Sequence, residues 1–237
     1  MTGIPKIKKK NQGIHLPTIF TLVRYTIVEI LQIILFLVFS PGAEVIAQNA
    51  QEITTLANTA ESAAYLSPEE KKVIFYTNLV RLDPKGFALR YLKPYLDTCR
   101  RKFKDSYVSS LKKDLGAAEP LSVLSPQEDL TKEARDHAID MGKTGMMGHS
   151  TSSGKRFKER FKSLGKQYGW VGENCDYGNP DGLSIVMSLL IDENVSDLAH
   201  RKNILNPAYF NIGVSIYPHK TYRQNCVTDF GGRKNSN

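Results

Sequence analysis

Four side chains carry the chemistry this sequence could perform. They are His149 in Gly148-His149-Ser150, Glu173 in Gly172-Glu173-Asn174, Asp192 after an apolar run, and His200 at the head of His-Arg-Lys-Asn-Ile-Leu. Each stands where an element begins or ends, which is where functional side chains sit on a rigid scaffold. Two imidazoles and two carboxylates can share a divalent cation or work as an acid–base pair. Neither HExxH nor GxSxG occurs in the chain, so no local motif ties the four together. Ser150 and Cys175 are nucleophiles in type only, and Cys175 need not share a strand face with its neighbour Asn174.

The elements that must position these groups are mostly helical. Ser67-Pro68-Glu69-Glu70 has a cap, a proline at the first helical position and an acid three residues on, the grammar of a helix start. Val73, Tyr76 and Val80 recur at helical spacing and form its buried stripe. Asp83-Pro84 ends that helix and opens a shorter one with Phe87, Tyr91 and Leu92. Residues 99–118 are basic, with Tyr107, Leu111 and Leu115 on one face of a surface helix that Gly116 ends. Ser125-Pro126-Gln127-Glu128 repeats the helix-start grammar, and Leu130, Ala134, His137, Ala138 and Met141 follow along one face. His137 in that stripe reads as a core histidine with a hydrogen-bond partner. The loop 142–148 delivers His149. A short amphipathic helix then turns Phe157, Phe161 and Leu164 inward and Lys155, Arg156, Lys158, Arg160 and Lys162 outward.

Trp170 to Cys175 reads as a strand holding Glu173. Asn179-Pro180-Asp181 caps a helix that is apolar nearly all round from Leu183 to Ile191, hence buried. Ile212, Val214 and Ile216 alternate as a strand, and Cys226 to Phe230 supplies another after a turn at 218–223. Helices on both sides of a small antiparallel sheet make an α+β layered fold.

Three stretches together resemble the CAP superfamily, which includes cysteine-rich secretory proteins, antigen 5 and plant pathogenesis-related proteins. They are Met147-Gly148-His149-Ser150, Gly172-Glu173-Asn174, and His200 through Leu205 leading into Ile212-Gly213-Val214. Arg-Lys-Asn-Ile-Leu after the histidine is similar to the bacterial secreted branch. The resemblance covers residues 68–231 or so. It implies a three-layer α-β-α sandwich with an open cleft, and in the cleft a tetrad matched by His149, Glu173, Asp192 and His200. In some members the tetrad holds a divalent metal such as zinc, which makes His149 and His200 the expected ligands. The fourth position departs from the family pattern of Trp-x-x-Glu or serine. Leu189-Leu190-Ile191-Asp192 stands there, with Glu193 as the alternative acid, and the link from Glu193 to Ala199 is longer than is common in bacteria. The function implied is a secreted, non-catalytic binding module recognising a lipid, peptide or envelope component. A metal-assisted hydrolase using the same cleft, with water activated between His149 and Glu173, and a structural envelope protein are the alternatives.

Composition bounds this reading. The 237 residues, 41% hydrophobic and 24% charged, suffice for one domain with additional segments. Residues 1–47 hold a basic start at Lys6 to Lys10, an apolar run from Ile27 to Phe39, a break at Ser40-Pro41-Gly42 and small residues around Ala47. They read as a secretory signal, with an N-terminal membrane anchor as the alternative. Both place the remainder outside the cytoplasm. Residues 48–66 read as a linker, 67–232 as the domain and 233–237 as a tail. The formal charge is +8, of which residues 1–47 contribute five bases against two acids. The mild remainder and export argue against a nucleic-acid partner. In an oxidising compartment a cysteine pair would bridge. Cys175 and Cys226, both in strand-like segments, are the expected pair and Cys99 the odd one. An odd count leaves other pairings open.

Overall fold

The computed structural model describes residues 41–233, with side chains from Gln48 onward. The segment 1–47, assigned above to a signal or anchor, lies almost wholly outside that range. Among the described residues no helix is long and apolar enough to cross a membrane.

The helical first half comprises α1 (Pro41–Ala57), α2 (Pro68–Leu82), α3 (Pro84–Phe87), a π-helical turn (Ala88–Leu92), α4 (Lys93–Thr98) and α5 (Asp105–Ala117). After them come β1 (Ser125–Pro126), α6 (Glu128–Thr144), α7 (Phe157–Arg160), β2 (Val171–Tyr177), α8 (Gly182–Ile191), α9 (Ala199–Ile204), β3 (Tyr209–His219) and β4 (Arg223–Gly232). Two starts obey the local grammar. Ser67 and Glu70 form a reciprocal capping box on α2, and Asp181 and Ser184 form one on α8.

The sheet order is β1-β3-β4-β2. The three long strands are antiparallel, and β1 adds a two-residue parallel edge to β3. Helix α6 lies across β3 and β4, while α2 packs on β3 and α8 on β2. Ile212, Val214, Cys226 and Phe230 join α2 and α8 in the main core, and Cys175 and Val227 pack with Ala134 and Ala138 of α6. Both faces of the sheet are therefore covered, and the molecule is the expected α-β-α sandwich. Strand β2 is left as an outer edge.

Three expectations need correction. Ser125-Pro126 does not cap α6: these residues pair with Asn211 and Ile212 of β3, and α6 begins at Glu128 after Gln127, whose N–H donates to Ile212 O at 2.9 Å. Proline's fixed φ suits an edge strand as well as a first helical turn, and here the sheet takes it. Residues 48–66, expected as a linker, pack on the domain. Ala57 and Ala60 are buried, and Asn78 Nδ2 donates to Ala57 O at 3.2 Å. Small alanines leave no apolar stripe to read. The Cys175–Cys226 bridge is the third. All three cysteines are free. Cys175 stands opposite Val227 and Cys226 opposite Asp176, so the two thiols leave the sheet on opposite faces.

Gly213 sets the distance between α6 and the sheet. A Cβ there would lie 2.2 Å from Leu130 C and Thr131 N, backbone atoms that cannot swing aside. Gly213→Ala is expected to cost about 1–3 kcal/mol through overpacking. Urea denaturation with an unchanged m-value checks it.

Candidate functional site

The site is built across the free edge of β2. Alternation sends Glu173, Cys175 and Tyr177 toward α6, and Asn174 and Asp176 toward α8 and α9. On the α6 side, Gly145 ends the helix in the left-handed conformation (φ 78°) and Gly148 turns again (φ 102°), bringing His149 over β2. Gly148 is held from both sides. Its N–H donates to the Tyr177 hydroxyl at 2.8 Å, and its carbonyl accepts from His137 Nε2 at 2.8 Å. His137 is thus the partnered core histidine expected from sequence. Burial holds it below its ordinary pKa.

His149 Nδ1 lies 2.8 Å from Glu173 Oε1. The imidazole is half exposed, while the Glu173 side chain is 1% exposed and sits beneath it. Arg160 completes this half of the site: its Nη1 donates to Glu173 Oε1 at 3.1 Å, its Nη2 is 2.8 Å from Oε2, and its Nε donates to Glu133 at 3.0 Å. Arg160 was expected to face outward with its basic neighbours, but its side chain is 2% exposed. Burial alone would raise the Glu173 carboxyl. Hydrogen bonds from His149 and Arg160, with the guanidinium charge, bring it below its ordinary value instead.

Asp229 faces Glu173 across the β2–β4 ladder and is wholly buried. Burial, followed by the Glu173 charge, pushes it well above the carboxylate range. Sequence reasoning passed over Asp229, although an acid within an apolar strand is itself a signal.

The second half forms at the other side of the edge. Asp192 ends α8 in the left-handed conformation (φ 57°), which aspartate tolerates. Its Oδ1 lies 2.7 Å from His200 Nδ1, and its Oδ2 accepts the backbone N–H of His200 at 3.0 Å and of Arg201 at 3.1 Å. One carboxylate thereby caps α9 and orients the imidazole. Glu193, the alternative acid, borders the same site but bonds elsewhere. It accepts from Arg101 at 2.9 Å and from the Lys104 N–H at 2.8 Å. Asn174 Nδ2 donates to His200 O at 3.0 Å, tying α9 to β2.

His149, Asp192 and His200 line one open cleft of about 470 Å³, with Met147, Leu189 and Tyr222 as apolar walls. Asp176 also reaches it. Burial pushes that carboxyl up to about 6, with both oxygens near Asn179 Nδ2. The Cys175 thiol is 3.8 Å from His149 Nδ1, but burial raises its pKa far above the ordinary value and keeps it protonated. Both histidines spend Nδ1 on a carboxylate. When neutral, each therefore presents its Nε2 lone pair, the arrangement that orients metal-binding histidines. Among the described residues, His137, Glu173 and Cys175 also place three donor atoms within 4.8 Å of one another. Arg160 already supplies the positive charge there.

Residues 76–230 match the family model described as CAP, Cysteine-rich secretory protein family. The uncharacterised protein YkwD of Bacillus subtilis is 36% identical over 95 residues, 40% of this chain and 35% of that protein. An extracellular protein containing an SCP domain from Bacillus anthracis is 24% identical, with a TM-score of 0.40 over 48% of this chain and 35% of that one. An outer surface protein from Borrelia burgdorferi is 22% identical, with a TM-score of 0.41 over 54% and 89%. The match thus spans about a third of the length of each Bacillus relative.

Proposed function

The chain belongs to the cysteine-rich secretory protein (CAP) family, and on that premise we propose that it is an exported binding module that recognises its ligand through the two acid-backed histidines, without turnover. The observation that carries this reading is the paired use of Nδ1. Glu173 holds His149 and Asp192 holds His200, so two Nε2 atoms are offered to a single cleft. An anionic or carbonyl-bearing lipid, peptide or envelope component can accept hydrogen bonds when the imidazoles are protonated. The apolar walls at Met147, Leu189 and Tyr222 suit a nonpolar portion of the same ligand.

A divalent cation such as zinc fits the donor set. His149 and His200 would be its ligands through Nε2, and Glu173 and Asp192 would orient them from behind rather than bind. When bound, it would supply a Lewis acid that polarises a ligand oxygen. With two protein ligands the affinity is expected to be weak. A covalent hydrolase lacks a supporting nucleophile, since Cys175 is buried as a thiol.

Zinc titration of protein purified without a histidine tag tests the metal arm. Saturable one-to-one binding is expected, abolished in His149→Ala/His200→Ala and about 10–100-fold weaker in Asp192→Asn. Equal, negligible zinc in wild type and double variant would overturn it. Screening peptide and ester libraries tests the absence of turnover, and activity lost in Asp192→Asn would replace binding by hydrolysis.

A further inference from the structure

Strand β2 carries backbone groups that nothing in the fold pairs. Its register with β4 runs without a break from Val171 to Tyr177. Just beyond the two ends, Gly178 N–H donates to Gln224 O at 2.9 Å and Gly232 N–H donates to Trp170 O at 2.8 Å. Hydrogen-bonded pairs alternate along an antiparallel ladder, so Gly172, Asn174 and Asp176 bond to β4. The N–H and C=O of Val171, Glu173, Cys175 and Tyr177 therefore point away from the sheet. Asn203 of α9 covers one of these groups, the Glu173 carbonyl, through Nδ2 at 3.3 Å. Among the described residues, the backbone N–H and C=O of Cys175 and Tyr177 have no hydrogen-bond partner. Both residues line the histidine cleft, and Cys175 is only 8% exposed. We propose that the ligand of this cleft is an extended peptide segment of a partner protein, which adds to β2 as a further strand and pairs with these four groups. The assignment rests on the reading of the cleft as a binding site, and it selects a polypeptide from the ligand classes named there.

The chemistry of the edge identifies the occupant. Donors and acceptors that alternate at strand spacing are matched by another polypeptide backbone, which repeats N–H and C=O at the same interval. An acyl chain has no donor to offer them. Leaving buried backbone groups unpaired is costly, so a partner strand has free energy to gain there. The edge is also undefended. Sheets blunt their edges with brevity, proline or a bulge, as β1 does with two residues, one of them Pro126. Strand β2 has seven residues, no proline and no register shift. Its walls admit a single strand. His149 stands on the α6 side of the edge and His200 on the α9 side, so the sheet of a second copy meets the imidazoles before it reaches Cys175. Side chains of the added strand alternate between the walls. Those on the α6 side meet Met147 and Tyr222, which calls for apolar residues at every second position, and those on the other meet Leu189 and Asp176.

A displayed library of random heptapeptides, selected on the full chain, supplies the probe, and the enriched sequence is resynthesised with blocked termini. Calorimetric titration is expected to show saturable one-to-one binding. N-methylation of the probe is the discriminating change and leaves the protein untouched. Along the central residues of a paired strand, every second N–H faces β2 and the others face away. Methylating a residue of the first kind should weaken binding about tenfold or more, and one of the second kind less than about threefold. Amide exchange at Cys175 and Tyr177 should slow by about tenfold or more in the complex. The variant His149→Ala/His200→Ala separates this proposal from the reading it rests on. Binding that keeps its alternation there supports the strand and removes the histidines from recognition. Saturable zinc binding by a wild type that enriches no peptide keeps the histidines and overturns the strand. N-methylation effects without alternation, or unchanged exchange at both amides, would also overturn it. So would slow exchange at both amides in peptide-free protein that sediments as a dimer, which gives the edge to a second copy.

Discussion

Arg160→Met is expected to destabilise the protein by about 3–5 kcal/mol, the cost of removing one partner of a buried ion pair. For a domain of this size that lowers the melting temperature by on the order of 10 °C. The substitution keeps the length and apolar stem of the side chain, so the loss isolates the charge. Glu173, 1% exposed, would keep His149, with His137 and the buried Asp229 beside it. The sign of the pH dependence is fixed. In the wild type the folded-state pKa of Glu173 is depressed, so its stabilisation is present above the ordinary glutamate range and fades as pH falls through the folded value. In the variant burial dominates and the folded-state pKa rises, so the penalty grows as pH climbs above that range. The gap between the two proteins should narrow toward pH 4 and widen toward neutrality. Urea melts at pH 4, 5.5 and 7 measure it, and a gap independent of pH would assign the loss to packing.

Arg160 also marks where sequence reading ends. In the run Lys155 to Lys162 its spacing is that of a solvated basic face, with Lys158 and Lys162 on either side. Only the fold shows that α7 sits over Glu173 and Glu133. Groups governed by local chemistry were legible. The caps at Ser67 and Asp181 and the stripe from Leu130 to Met141 lie where spacing and residue type placed them. The layered fold was legible too, because an all-apolar α8 must be covered on every side. The cysteine pairing was not, since it depends on strand register. A shift of one residue between β2 and β4 moves a thiol through the sheet. Asp192 shows the intermediate case. Motif placed it near His200, but choosing between it and Glu193 needed the left-handed turn at its own backbone, which aims Oδ1 at the imidazole and leaves Glu193 to the α4–α5 connection.

The cleft has two walls of different construction. On the His149 side, ionic contacts among Arg160, Glu173 and Glu133 fix the imidazole. On the His200 side, the Asp192 carboxylate holds the imidazole, and Arg201 anchors α9 through Asp114 and through hydrogen bonds to backbone carbonyls. Arg201, the residue after His200, donates to Leu190 O at 2.6 Å and Ile191 O at 3.0 Å, locking α9 onto the end of α8. The pattern repeats one layer down, at Arg81.

Arg81→Met is accordingly expected to be as damaging as loss of Arg160, although no carboxylate is involved. Arg81 is fully buried at the end of α2. Its guanidinium donates to Ser122 O at 2.9 Å, Ile204 O at 2.7 Å, Asn206 O at 2.9 Å and Tyr209 O at 3.0 Å. Burial pulls its pKa down to about 10, so it remains a cation at neutral pH. The segment it holds joins α9 to β3, and thus carries the position of His200 into the sheet. Methionine fills much of the same volume and satisfies none of the four acceptors. At about 1–3 kcal/mol per stranded buried group, the bonds to Ile204 and Tyr209 alone imply a loss of about 2–6 kcal/mol. Arg81→Lys should recover little, because a compact ammonium cannot span carbonyls matched to a planar fork. Hydrogen exchange gives the discriminating readout. Amides of residues 204–209 should lose protection in both variants beyond the global change, while those of α6 follow global stability alone. If Arg81→Lys restores both stability and protection, a point charge is enough and the fork plays no part in holding His200.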